Sequence, residues 1–195
     1  LTNAEPIIQG ARFISGLSLY DALSMNSEIL FSLIPFFLAR RFLATDEAHR
    51  VLLKVIVLAA IGYSFLVLYE VRMSPQLNRI FYGFFPHSFG QHMRGDGFRP
   101  LVFMNHGLWL AIIMAMSVVA AFTLFRATQC EHRRIWFFVG LWLFAVLFLI
   151  KSLGAFTLTV LIVPTLLLLG RKSQLLLTAS VAVFVLLFPF ARSAG

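Results

Sequence analysis

Seven side chains in this sequence could act together on a charged group: Arg79, Arg94, Arg99, Lys151, His87, His92 and His106. Five of them lie in the segment from Glu70 to Pro100, EVRMSPQLNRIFYGFFPHSFGQHMRGDGFRP, which is rich in Gly and aromatic residues. Arginine offers a planar fork of donors that matches phosphate oxygens. Arg79, Arg94 and Arg99 beside histidines therefore suit a lipid-linked phosphate or pyrophosphate, the bland alternative being headgroup contact and snorkelling. Lys151, flanked by Ser152 and Thr157, is either a snorkelling lysine or a cation facing the same cavity as Arg99. His87 and His92 are five apart with no Cys or second acidic residue joining them, which gives a metal site little support. His106, beside Asn105, either hydrogen-bonds a neighbouring helix or points into a wet cavity. There is no P-loop, dinucleotide fingerprint or nucleophile elbow, and no cofactor is expected.

The elements that must position these groups are membrane helices. Apolar residues make up 60% of the chain, charged residues 12%, and Phe alone contributes 22. Soluble domains carry roughly 25% charged residues, and a soluble fold could not hide this much apolar surface. The hydrophobic runs predict an all-α, polytopic transmembrane helix bundle of about six spans, each near the ~20 residues that cross a bilayer. They lie at about Leu23 to Phe42, Val51 to Tyr69, Leu101 to Phe125, Ile135 to Ile150, Leu153 to Leu169 and Leu175 to Phe190. Pro35, Pro164 and Pro189 fall within or at the end of these runs, and a kink is expected at Pro35. The fourth and fifth runs are separated only by Lys151 and Ser152, and a tight turn over Lys151 to Gly154 is preferred to one long bent helix. Residues 1–22, with Pro6, Gly10 and Gly16, read as a loop or interfacial segment. In the segment 70–100, Ser74 and Pro75 read as an N-cap and first helical residue. Leu77, Ile80, Phe81 and Phe84 then recur as in a short amphipathic helix lying on the membrane face. Glu28 is the only carboxylate placed within a predicted span, which disfavours proton-coupled transport.

The net charge of +8 would raise the question of nucleic acid in a soluble protein, but here the cations sit in short loops, and no nucleic-acid partner is expected. Arg40, Arg41, Arg50, Lys54, Arg126, Arg133, Arg134, Arg171 and Lys172 would share one side of the membrane. Arg12, Arg72, Arg79, Arg94, Arg99, Lys151 and Arg192 would share the other. The first set is denser, and the positive-inside rule places it in the cytoplasm, leaving the loop 70–100 outside. The single cysteine, Cys130, rules out an internal disulfide. Residues 1–195 read as one transmembrane region, the central part of a longer protein.

Several stretches resemble the bacterial O-antigen ligase and O-antigen or exopolysaccharide polymerase family: LTNAEPI, GLSLYDALS, LIPFFLARRFL and YGFFPHSFGQHMRGDGFRPLVFMNHGLWLA. Arg99, Phe103, Asn105 and His106 match the family's outward Arg, followed by a span opening with Phe and an Asn- or His-containing turn. In IKSLGAFTL, Lys151 stands where the family usually has Arg, keeping the charge but losing the bidentate fork. The resemblance implies a multi-pass protein of the bacterial inner membrane with loop 70–100 in the periplasm. Its substrate would be a glycan on undecaprenyl pyrophosphate, transferred to an acceptor hydroxyl. It further implies that Arg99 and Lys151, with Arg94 and Arg79 as helpers, contact the pyrophosphate, and that His87, His92 and His106 lie on the acceptor side. The family's general base, a His in a large outer loop, is expected beyond these spans. Two other classes fit the same composition. One is a transporter or flippase for an amphipathic substrate, for which an inverted repeat would speak and none is visible. The other is a non-catalytic membrane subunit whose loop 70–100 docks a partner.

Overall fold

The computed structural model describes residues 5–9, 12–86, 89–94, 97–128 and 133–193. The described fold is all-α, with seven helices and two short antiparallel ribbons. The chain divides into two units, Leu1–Arg50 and Val51–Gly195.

In the first unit, β1 (Ile7–Gln9) pairs with β2 (Arg12–Ile14), Ile8 opposite Phe13. The sequence reading had a loop here, but the β-branched and aromatic residues Ile7, Ile8, Phe13 and Ile14 are good strand formers. Helix α1 (Leu19–Phe42) begins at a capping box: Ser18 Oγ accepts from the Asp21 N–H, and the Asp21 carboxylate accepts from the Ser18 N–H at 2.8 Å. It runs unbroken through Pro35 and ends on Arg40 and Arg41, cations placed favourably at the negative end of the helix dipole. None of its residues is buried, as suits a helix whose solvent is lipid. The neighbouring Thr45 hydroxyl accepts from the Ala48 N–H where α2 (Asp46–Met73) begins.

The second unit is built around α4 (Gly107–Ala127), whose Leu110, Ala111, Met114, Val118 and Ala121 are fully buried. Helix α5 (Arg133–Leu149) approaches it closely at Gly140, where a Cβ would meet the Phe122 ring at 3.1 Å. Small residues at crossings are how membrane helices gain contact, since lipid supplies no hydrophobic drive for association. Helix α2 joins through a polar link: the Trp142 indole N–H donates to Ser64 Oγ at 2.9 Å, and that hydroxyl donates to the Ile61 carbonyl. Helix α6 (Leu153–Leu168) buries Ala155 and Thr159 and continues through Pro164. At its C-terminal end the Gln174 amide of α7 (Arg171–Ser193) donates to the Leu166 and Leu169 carbonyls, and Arg126 also donates to the Leu166 carbonyl. These donors satisfy carbonyls that the helix end leaves open.

Helices α1, α2, α4 and α7 are long and apolar enough to cross a membrane. Helices α5 and α6, of 17 and 16 residues, are shorter than that length and meet at the turn Ile150–Lys151, as expected of two helices rather than one. The chain is a membrane protein. Two boundaries differ from the sequence reading in an informative way. Helix α2 extends to Met73, so Glu70 lies within the helix rather than in the loop that follows it. Helix α4 starts at Gly107 rather than Leu101, because residues 101–106 form a tight turn with the Met104 N–H on the Leu101 and Val102 carbonyls.

Candidate functional site

The site lies where the C-terminal ends of α2 and α5 meet the N-terminal ends of α4 and α6. Its anchor is Glu70, whose side chain is fully buried. Glu70 Oε1 accepts from the Leu77 N–H at 3.0 Å, and Oε2 accepts from the Leu101 and Val102 N–H groups at 2.8 and 2.7 Å. A buried carboxylate is costly unless its lone pairs are met, and three backbone donors meet them here. One side chain thus ties the end of α2, the start of α3 (Leu77–Tyr82) and the approach to α4 into one knot. The Asn78 amide adds a long bond to the Val102 carbonyl.

The knot holds an unusual backbone. Ser74, Val102 and Lys151 are the non-glycine residues with positive φ among the described residues, at 77°, 45° and 56°. For a β-branched residue such as Val102 this region is a genuine outlier, costing on the order of 1–3 kcal/mol. All three residues sit at this end of the bundle, at the turns after α2, before α4 and between α5 and α6.

Arg99 is drawn into that end and is only 8% exposed. Its N–H donates to the His92 carbonyl at 2.7 Å, and Nη2 donates to Ser152 Oγ at 3.3 Å. The aliphatic stem lies across Gly107, where a Cβ would stand 2.9 Å from Cδ and Nε. Lys151 is exposed, and its ammonium rests against Gly97, where a Cβ would stand 2.6 Å from Nζ. Gly97 belongs to β4 (Gly97–Phe98), which pairs with β3 (Met93–Arg94) in a ribbon just before Arg99. The two cations foremost in the sequence reading are therefore brought together from positions 52 residues apart in the sequence, through Gly97, Gly107 and Ser152.

The surroundings favour an anion that also carries a lipid tail. Gly107 opens α4 and Ser152 precedes α6, so the Arg99 side chain touches the positive ends of two helix dipoles. Beside it opens a cleft of about 320 Å³ lined by Phe148, Leu149, Lys151, Ser152, Leu153 and Phe156. Its lining is apolar except for Lys151 and Ser152. Around α3 an exposed aromatic and aliphatic fringe continues the same end, with Ile80, Phe81, Tyr82 and Phe84 pointing outward. Phe103 stacks edge-on against both Phe81 and Tyr82.

The other predicted residues are placed unevenly. His92 is 1% exposed, its ring packed edge-on against Phe85 and 5.9 Å from the ring of His106. His106 immediately precedes α4. It caps its own helix, Nδ1 accepting from the Leu108 N–H at 3.0 Å. Arg79 lies exposed in the last turn of α3. His87 lies outside the described residues, as does the Arg94 side chain. Ser74 does not cap α3. It turns through positive φ, and the helix starts at Leu77 after Gln76 and ends at Gly83, whose φ of 76° only glycine adopts without cost. Leu77 is buried while Ile80, Phe81 and Phe84 are exposed, and Phe84 lies beyond the end of the helix, so the four do not form one apolar face. Among the described residues no group of three or more His, Cys, Asp or Glu could hold a metal ion.

Sequence reasoning missed Glu70, Gly97 and Gly107. A carboxylate near the end of an apolar run is a usable signal, because such a group needs donors. The glycines carry no signal without the cations that cover them. Fold and site together define an α-helical membrane protein with Arg99 and Lys151 at one end of its second unit. Comparison with protein-family models, curated proteins and solved structures yields no match.

Proposed function

We propose that the chain is part of a bacterial surface-polysaccharide polymerase or O-antigen ligase-like glycosyltransferase. It would act at the outer face of the inner membrane on a glycan carried by undecaprenyl pyrophosphate. The observation that carries the reading is that Arg99 bonds to Ser152, the residue next to Lys151, at the edge of an apolar cleft that Lys151 and Ser152 line. In this reading Arg99 and Lys151 hold the pyrophosphate oxygens, and the two helix N-termini add fixed positive potential. As the glycosidic carbon is attacked by an acceptor hydroxyl, the bond to the pyrophosphate breaks and negative charge grows on the leaving group. Cations fixed beforehand stabilise that charge without reorganising. The prenyl tail would leave along the Phe148–Phe156 cleft into lipid. The density of Arg and Lys at the opposite helix ends supports an outward-facing site.

The test is the whole protein expressed in a polymer-producing cell. Arg99→Ala is expected to abolish polymer at normal protein level, while Arg99→Lys retains a part of it. Unchanged polymer length and yield from Arg99→Ala would remove Arg99 from the site.

A further inference from the structure

We infer that Glu70 is a positioning residue for the pyrophosphate site, a carboxylate clasp that acts on the substrate only through Arg99. The inference rests on the proposed reading of Arg99 as a pyrophosphate ligand, and the assay below separates the two. Glu70 does not line the cleft itself. Its three bonds go to backbone N–H groups of Leu77, Leu101 and Val102, two and three residues beyond Arg99 in the latter cases. Those bonds close the turn in which Val102 holds a φ of 45°, and the turn delivers the chain to Gly107 at the start of α4. Arg99 is fixed from both sides of that turn, by its own N–H on His92 and by its stem against Gly107. Releasing Val102 to an ordinary backbone region shifts Gly107 relative to Arg99 and takes the guanidinium away from Ser152.

The chemistry of the clasp is specific to a carboxylate. Three donors converge on two oxygens, and only an ionised carboxyl offers acceptors at both. Glutamine has the same shape but turns one oxygen into a donor facing another donor, which strands a buried N–H. Asp keeps the charge but is one methylene shorter, so it reaches fewer of the three donors.

The experiment uses the protein in lipid nanodiscs, with farnesyl pyrophosphate as probe and farnesol as the uncharged control. Binding is measured together with amide exchange at Leu77, Leu101, Val102 and, as reference, the α4 core around Met114. Glu70→Gln is expected to weaken farnesyl pyrophosphate about tenfold or more, the effect of one lost charge-assisted hydrogen bond on a site it controls. Exchange rises at whichever of Leu77, Leu101 and Val102 the amide strands, while Met114 stays protected and farnesol binding is unchanged. Glu70→Asp gives an intermediate loss. Should Glu70→Gln fail to fold, Glu70→Asp carries the test in the same terms. Faster exchange at any of Leu77, Leu101 and Val102 with undiminished farnesyl pyrophosphate binding overturns the clasp. Arg99→Ala in the same assay reports on the underlying reading: full affinity there overturns the pyrophosphate site and the clasp's role in it, whatever Glu70 does to the turn.

Discussion

At the residue scale, two glycines decide where the cations stand. A methyl group at Gly107 would sit 2.9 Å from the Cδ and Nε atoms of Arg99, mid-stem atoms enclosed by the turn. Overpacking of that kind costs about 1–3 kcal/mol, and the side chain must leave its place. A methyl group at Gly97 would instead sit 2.6 Å from Lys151 Nζ, the far end of a long, exposed side chain. Gly107→Ala is therefore expected to cut polymer formation nearly as far as Arg99→Ala, with the helical fold kept. Gly97→Ala should lower it less and leave stability unchanged. Polymer yield and circular dichroism on the two purified variants check the order, and equal effects would show that Arg99 is not confined by Gly107. Neither glycine was legible in the sequence, because what makes each necessary is a side chain arriving from elsewhere in the fold. Arg99 and Lys151 were legible as charges at the ends of apolar runs, where the membrane makes a cation expensive and so worth explaining.

At the element scale, hydrophobic runs located every long helix, since length and composition alone meet the demand of a bilayer. Their ends were less visible. The run through Leu101, Val102 and Phe103 looks like the start of a span, yet the Glu70 carboxylate draws Leu101 and Val102 into a turn and α4 begins six residues later. The same carboxylate extends the polar logic of α2 beyond where apolar content fades. Within the bundle the Trp142–Ser64 link is a polar contact between α2 and α5. Trp142→Phe removes the indole donor but keeps an aromatic ring near Phe65, which lies 6.2 Å from the Trp142 ring. Interhelical hydrogen bonds in membranes average about 0.6 kcal/mol and reach about 1.7. A loss in that range is expected for Trp142→Phe in reversible unfolding from bicelles, with little further loss on adding Ser64→Ala. Additive losses would mean that the two residues stabilise the bundle independently.

At the scale of the whole second unit, the two ends of the bundle are chemically different. One end gathers Arg126 and Gln174, which share the Leu166 carbonyl at the end of α6, and Arg133 over the Phe125 ring at 4.5 Å, groups that anchor helix ends. The other end gathers a buried carboxylate, three strained residues, an enclosed arginine and an apolar cleft. Strain and buried charge of this kind persist only where surrounding structure enforces them, and such places are commonly functional. The sequence could rank these residues by type but could not pair them, since the pairing of Arg99 with Ser152 depends on how α4 and α6 pack. The central claim is that Arg99 and Lys151 form one site for a prenyl pyrophosphate, and a double-mutant cycle tests it most directly. Farnesyl pyrophosphate binding is measured for the protein, Arg99→Ala, Lys151→Ala and the double variant in nanodiscs. A shared site predicts that each single variant weakens binding and that the double falls short of, or exceeds, their sum by more than about 0.5 kcal/mol. Strictly additive losses, or no loss from either single variant, would contradict the account.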